Sequence, residues 1–226
     1  KRRELVKGAP WTVAVVIDAT LHERSSRHIE NAQRFNHGDG WVIGHQWTNI
    51  VLVINGTVVP LAPIPFLTKE TCKENGIEYK TEHDRIIEYL SEAKWDEILP
   101  GVKGEEIVVL SDSGYDSKKL QRFILSRGWD FIGSLKKSRS VKTQTQDWQS
   151  VSDLFKRTRK IGPWQTIRHQ ADGRKKRRES RIRTLTGFLK GVTRETRLVA
   201  AEKPNGEKLF LACSRAKTNP AAIAKG

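Results

Sequence analysis

Residues 11–17, WTVAVVI, form an unbroken apolar and largely β-branched run that stops at Asp18. Such a run reads as a strand buried on both faces. Residues 19–40 are polar and predict a loop. A second strand follows over residues 41–54, ending in NIVLVI. Asn55-Gly56 is a strong hairpin signal, because both residues tolerate the positive φ of a tight turn. It predicts a return strand over residues 57–66, with Pro60, Pro63 and Pro65 pushing its end to an edge or a loop. Ile86, Ile87, Leu90 and Trp95 recur at helical spacing, so residues 82–99 predict a helix. Thr81 is its N-cap, and Pro100-Gly101 stops it. A short buried strand, IVVL, then leads into SDSGYDS with Asp112 at the strand end. Asp116 or Ser117 caps a helix over residues 118–127, Gly128 closes it, and residues 130–137 form a further strand. The order β, β, β, α, β, α, β predicts an α/β fold, a mixed sheet with helices on its faces.

The pattern changes after Lys137. Residues 138–150 are polar and predict a linker, and residues 151–160 a short amphipathic helix. The stretch 174–183, RKKRRESRIR, holds seven basic residues and one acid. Three strand-like runs follow, LTGFLKG, TRLVAAE and KLFLACS, the last two joined by a turn at Pro204-Asn205-Gly206. This predicts a separate β-rich module over residues 138–214. Asn219-Pro220 then opens a helix, with a capping side chain and a proline in the first turn. The chain thus divides into residues 1–137, 138–214 and 215–226.

Composition narrows the functional classes. The chain has 226 residues, enough for one domain carrying a large insertion. No apolar run is long enough to span a membrane, and the basic N-terminus lacks the apolar core of a secretory signal. Cys72 and Cys213 stand alone and the six histidines show no ligand spacing with them, which suits a reducing cytoplasm and argues against zinc. The absence of methionine, with Lys1 first, predicts a processed product or a fragment. Charge points further. Forty-one Lys and Arg against 26 Asp and Glu give a formal charge of +15, which favours a polyanionic partner, nucleic acid first.

The candidate chemistry rests on Asp18 and Asp112. Each directly follows a buried strand. If those strands are neighbours, both carboxylates leave the same end of the sheet and form a site for a hard cation such as Mg²⁺. The competing reading is that each simply caps a turn. Lys136, Lys137, Arg139 and Lys142 follow the last core strand and are candidates for phosphate contact. Arg174, Lys175, Lys176, Arg177 and Arg178 either track a nucleic-acid backbone or lie in a solvated loop. Tyr115 either packs beneath Asp112 or donates its hydroxyl to phosphate. His45 is either structural or reaches the site from its strand, and Arg24 and Arg27 are candidate substrate contacts.

The segment VVIDATLHERSS, with IVVLSDSGYDSKKLQRFILSRGWDFIGSLKK downstream, resembles the catalytic core of insertion-sequence transposases, cut-and-paste DDE enzymes. The order of elements over residues 11–137 matches that family. Residues 138–214 sit where one of its groups carries a β-strand insertion. The resemblance implies a ribonuclease-H-like fold, with Asp18 and Asp112 as the first two catalytic, metal-binding acids. It implies Mg²⁺ or Mn²⁺ as cofactor, the element's DNA ends and a target DNA as partners, and a homodimeric synaptic complex in a bacterial, nucleoid-associated setting. In relatives that form hairpin intermediates an aromatic residue of the insertion stacks on a flipped base. Trp148 and Trp164 are the candidates, against packing in a small β core. The family's third acid is a glutamate on a helix after the insertion, within a Tyr…Arg-Trp…Glu pattern. That pattern is absent here, and Glu195, Glu202 and Glu207 fall in strand or turn contexts, so truncation before the third acid is the expectation. The rival expectations are a nuclease of the same fold, a DNA-binding remnant, and a basic structural or RNA-associated protein.

Overall fold

The computed structural model describes residues 9–25, 29–37, 40–157, 163–170 and 177–224. In chain order the elements are β1 (Val13–Glu23), β2 (Gln33–His37), β3 (Gly40–Ile54), β4 (Thr57–Pro60), β5 (Ile64–Pro65), α1 (Lys69–Glu74), α2 (Glu82–Glu92), α3 (Trp95–Ile98), β6 (Ile107–Ser111), α4 (Lys118–Ser126) and β7 (Asp130–Ser134). After them come β8 (Ser140–Lys142), β9 (Gln149–Ser150), α5 (Val151–Arg157), β10 (Gln165–Gln170), β11 (Arg177–Leu189), β12 (Thr196–Glu202), β13 (Lys208–Cys213) and α6 (Pro220–Ile223).

The described strands join one mixed sheet in the order β2-β3-β1-β6-β7-β13-β12-β11-β8-β9. β1 pairs antiparallel with β3 and parallel with β6, and β6 pairs parallel with β7. This is the α/β mixed sheet that the element order predicts, in the ribonuclease-H-like arrangement that the resemblance implies. Strand alternation gives the sheet two apolar faces. Val13, Val15 and Ile17 point to one face, where Ile86 and Leu90 of α2 and Leu120 and Ile124 of α4 cover them. Trp95 closes that layer edge-on against Trp129, ring centroids 4.9 Å apart. Ala14, Val108, Val199 and Cys213 face the other way, beneath Trp11 and Ile223 of α6.

The caps fall where the sequence puts them. The side chains of Thr81, Ser117 and Asn219 accept from the first-turn amides of α2, α4 and α6. Asn55 and Gly56 both carry positive φ in the β3–β4 turn.

Other elements depart from the local pattern. β1 does not stop at Asp18 but continues to Glu23, because β3 stays paired with it as far as Gly44. A Cβ at Gly44 would lie 2.0 Å from the His22 carbonyl oxygen, so this close pairing requires glycine. The strand expected over residues 57–66 divides into β4 and β5. The helix expected over residues 82–99 ends at Glu92, where Ala93 turns extended, and α3 is a separate turn. The polar linker after Lys137 contains β8 and β9, and β11 begins inside the basic run. α1 has no counterpart in the sequence reading.

The insertion is β-rich but does not form a sheet of its own. β13 adds antiparallel to the edge of β7, with Leu211 opposite Ser134 and Cys213 opposite Ile132. Asp130, the first residue of β7, locks the junction. It is 1% exposed and accepts from Trp11 Nε1 at 2.9 Å, Ser214 Oγ at 2.6 Å and Arg194 Nη1 at 3.2 Å, and it pairs with Arg215. These donors come from before β1, after β13 and the β11–β12 turn, so one buried carboxylate ties core and insertion together. Asp130→Ala strands several of them away from water. It is expected to cost about 3 kcal/mol of unfolding free energy, measured as a lower urea midpoint. An unchanged midpoint would mean that the network carries no stability.

Candidate active site

The register of the central strands builds the site. The parallel β1–β6 ladder ends with Ile17 opposite Ser111. The next residues are Asp18 and Asp112, so the two acids stand side by side where the parallel ladder ends, Asp18 within β1 and Asp112 just past β6. Beyond this point β1 has only β3 as partner, with Asn49 opposite Asp18, while β6 gives way to a 3₁₀ turn over Ser113–Tyr115. Both aspartates are exposed and line one cleft of about 440 Å³. Its apolar floor is Val16, Leu110, Ile132 and Leu211, and Ile223 of α6 contributes to the lining.

Each carboxylate spends one oxygen locally. Asp18 Oδ1 accepts from the Ala19 amide at 3.0 Å, and Asp112 Oδ1 from the Gly114 amide at 2.9 Å. Asp112 is thus a turn cap as well as a cleft residue. Among the described residues no cation pairs with either acid. Two carboxylates converging in this way repel unless a cation neutralises them, and their hard oxygens fit Mg²⁺ or Mn²⁺. Among the described residues no three His, Cys, Asp or Glu come together as a complete ligand set.

The SDSGYDS turn is braced from below. Tyr115 is 4% exposed, and its hydroxyl donates to Glu82 Oε1 at 3.0 Å. The same oxygen accepts from Thr48 Oγ1 at 2.6 Å and Gln46 Nε2 at 3.3 Å. Burial, with the Glu82 carboxylate beside it, pushes the phenol well above its ordinary pKa and keeps it a donor. Tyr115 therefore supports the turn from beneath. His83 stacks edge-on against its ring. Asp116 faces inward, its side chain 1% exposed, and accepts from the Lys136 amide at 3.0 Å and Gln121 Nε2 at 3.2 Å.

Arg139 corrects an expectation. It is 9% exposed, not on the surface, and donates through Nη2 to Gln121 Oε1 at 2.6 Å. Its Nε lies 3.5 Å from Asp116 Oδ1. Desolvation pulls the guanidinium below its usual pKa and Asp116 opposes that pull. A buried Asp116 needs a cation more than DNA does, so Arg139 holds the turn. Lys142 is also engaged elsewhere. β8 pairs with β11, away from the carboxylates, and the ammonium lies 5.2 Å from the Trp148 ring and 5.7 Å from that of Phe188.

Lys136 and Lys137 lie on the Asp112 side of the site. They are exposed and line a second cleft, about 340 Å³, whose wall includes Asp112. Lys208 enters the same cleft from the insertion. Lys208 carries no sequence signal beyond its place just after the Pro204–Gly206 turn. Its ammonium also lies 5.9 Å from the Trp164 ring, which Arg181 and Arg183 approach at 5.4 Å each. Trp164 is half-buried and packs on the core, whereas Trp148 is 43% exposed. Arg174, Lys175 and Lys176 lie outside the described residues, as does Arg27, and Arg177 and Arg178 are placed only by backbone in β11.

His45 is structural. Its Nε2 lies 2.8 Å from the Glu30 carbonyl, and its Nδ1 accepts from Arg24 Nε at 3.4 Å. Glu202 pairs with Arg181 and Glu207 with Lys203, which holds the Glu207 carboxyl below its usual range. Arg139→Ala is expected to lower stability by about 3 kcal/mol and to leave the salt dependence of DNA affinity unchanged. Wild-type stability with a salt slope smaller by about 0.9 would instead restore a phosphate contact.

No curated protein matches the chain significantly. The family described as "Transposase DDE domain" matches residues 12–199, a span that runs from β1 through both aspartates and most of the insertion. The chain belongs to the transposase DDE domain family.

Proposed function

We propose that this chain is the catalytic domain of a cut-and-paste insertion-sequence transposase, with Asp18 and Asp112 as metal-binding acids. The observation that carries the reading is the parallel register, which sets the two acids side by side at one cleft. Mg²⁺ or Mn²⁺ at this pair would supply charge neutralisation at the scissile phosphate and an activated oxygen nucleophile. The protein's own groups do the positioning. β1 and β6 hold the carboxylates on rigid backbone, and the Tyr115–Glu82–Thr48 chain keeps the Asp112 turn from drifting. Lys136, Lys137 and Lys208 hold phosphates next to the one at the acids. The basic run of Arg174, Lys175, Lys176, Arg177 and Arg178 tracks the DNA backbone. Strand cleavage at the element end frees a 3′-hydroxyl, and that hydroxyl attacks target DNA in a second phosphoryl transfer. A second copy of the chain serves the other end.

Two acids hold a divalent ion less firmly than three. α6 follows the insertion, as the helix bearing the family's glutamate does, and its Ile223 lines the carboxylate cleft. An acid arriving from that side would complete the ligand set. The test is Mg²⁺- or Mn²⁺-dependent cleavage of a duplex carrying the element end. It compares this chain with a version extended through the codons that follow. Activity is expected in the extended protein, and Asp18→Ala and Asp112→Ala should each reduce it by at least about 10²–10³-fold. Each of Lys136, Lys137 and Lys208 changed to Ala should lower the salt slope of affinity by about 0.9. Cleavage that survives Asp112→Ala would overturn the assignment. Salt-sensitive binding with no cleavage by either version would make the protein a DNA-binding remnant.

A further inference from the structure

The strand extension that the sequence hides creates a surface next to Asp18. Past the end of β6, β1 alternates Asp18, Thr20 and His22 on one face. The antiparallel register sets Asn49, Trp47 and His45 of β3 beside them. Thr20, His22, Trp47 and Asn49, with Pro63 from the β4–β5 link, line an open pocket of about 310 Å³. Thr20 lies two residues beyond Asp18, about 7 Å along the strand.

The chemistry of this pocket differs from that of the lysine cleft on the Asp112 side. Among the described residues no Lys or Arg lines it, and His22 is its one ionisable side chain, so it lacks the fixed positive charge of the lysine cleft. It offers an indole and a proline ring, together with polar groups on adjacent strands. Asn49 Nδ2 donates to Thr20 Oγ1 at 2.7 Å. That bond orients the Asn49 amide and leaves the Thr20 hydroxyl hydrogen as a donor and the Asn49 oxygen as an acceptor. His45 is engaged by Glu30 and Arg24 and closes the far end of the row. A flat ring flanked by a donor and an acceptor matches a nucleobase, which stacks through its face and bonds through its edge. Its openness on the solvent side suits a base carried on a strand.

We infer that the Trp47 pocket receives the base of the nucleotide adjoining the phosphate at Asp18 and Asp112. The two flanks of the acids then divide the labour, with lysines holding backbone on the Asp112 side and Trp47 holding a base on the Asp18 side. The inference rests on the DNA reading above and adds a subsite to it.

The test uses the full 226-residue chain and a single-stranded oligonucleotide carrying 5-iodouracil, cross-linked by long-wavelength light and mapped by mass spectrometry. A cross-link at Trp47 is expected. Trp47→Ala should lower affinity for the oligonucleotide by about 5- to 150-fold, the loss of one stacked base, whereas Trp47→Phe should keep most of it. A circular-dichroism melt checks that both variants fold. If Trp47→Ala does not fold, Trp47→Phe and the wild-type cross-link decide alone. Salt-sensitive binding with cross-links only at other aromatics, such as Trp148 or Trp164, would overturn the pocket and leave the DNA reading standing. Absence of any salt-sensitive binding would overturn both.

Discussion

The parallel pairing of β1 with β6 is the constraint on which the rest depends. Both strands are apolar on two faces, so each must be covered above and below, and they can meet only in the middle of a sheet. Their ladder ends with Ile17 opposite Ser111, and the next residue on each strand is an aspartate. A shift of one residue would turn one of the two carboxylates to the opposite face and dissolve the pair. The site is therefore only as exact as the packing of Val13, Val15 and Ile17 against α2 and α4. Burial here fixes chemistry as well as stability.

The same sheet carries the insertion. Because β13 adds directly to β7, the insertion is rigidly registered with the acids. Lys208, at the start of β13, thereby stands in the same cleft as Lys136 and Lys137, although more than seventy residues separate them in the chain. Asp130 and Asp116 serve this architecture in parallel ways. Each is a carboxylate with a 1% exposed side chain that gathers donors from more than one segment. Asp130 joins core and insertion, and Asp116 joins the Asp112 turn to the exit of β7. Asp18 and Asp112 pair with no cation among the described residues, while Asp116 and Asp130 are committed to donors.

What the sequence disclosed follows a physical division. Strands such as residues 11–17 and 106–110 were legible because burial on both faces leaves an apolar run. The Asn55-Gly56 turn and the caps at Thr81, Ser117 and Asn219 were legible because their chemistry is local. Asp112 was legible as a strand-end residue and Asp18 as the residue that closes an apolar run, and the resemblance implied their roles. The extension of β1 past Asp18 was not, since its polar residues look like a loop and its partner, Gly44, acts through the lack of a Cβ. The junction of β7 with β13 left no local mark, so the insertion read as a separate module. Arg139 read as a surface cation because the sequence does not show that Asp116 is buried. Lys208 was missed for the converse reason, being an ordinary lysine that only the sheet brings to the site.

The central claim is that Asp18 and Asp112 act together on one divalent ion. Paramagnetic broadening tests it most directly, with Mn²⁺ titrated into the isotopically labelled chain and amide signals followed along the backbone. The account predicts broadening centred on residues 17–19 and 111–114 together, lost on Asp18→Asn and equally on Asp112→Asn. Broadening centred elsewhere, or at one aspartate independently of the other, would contradict it.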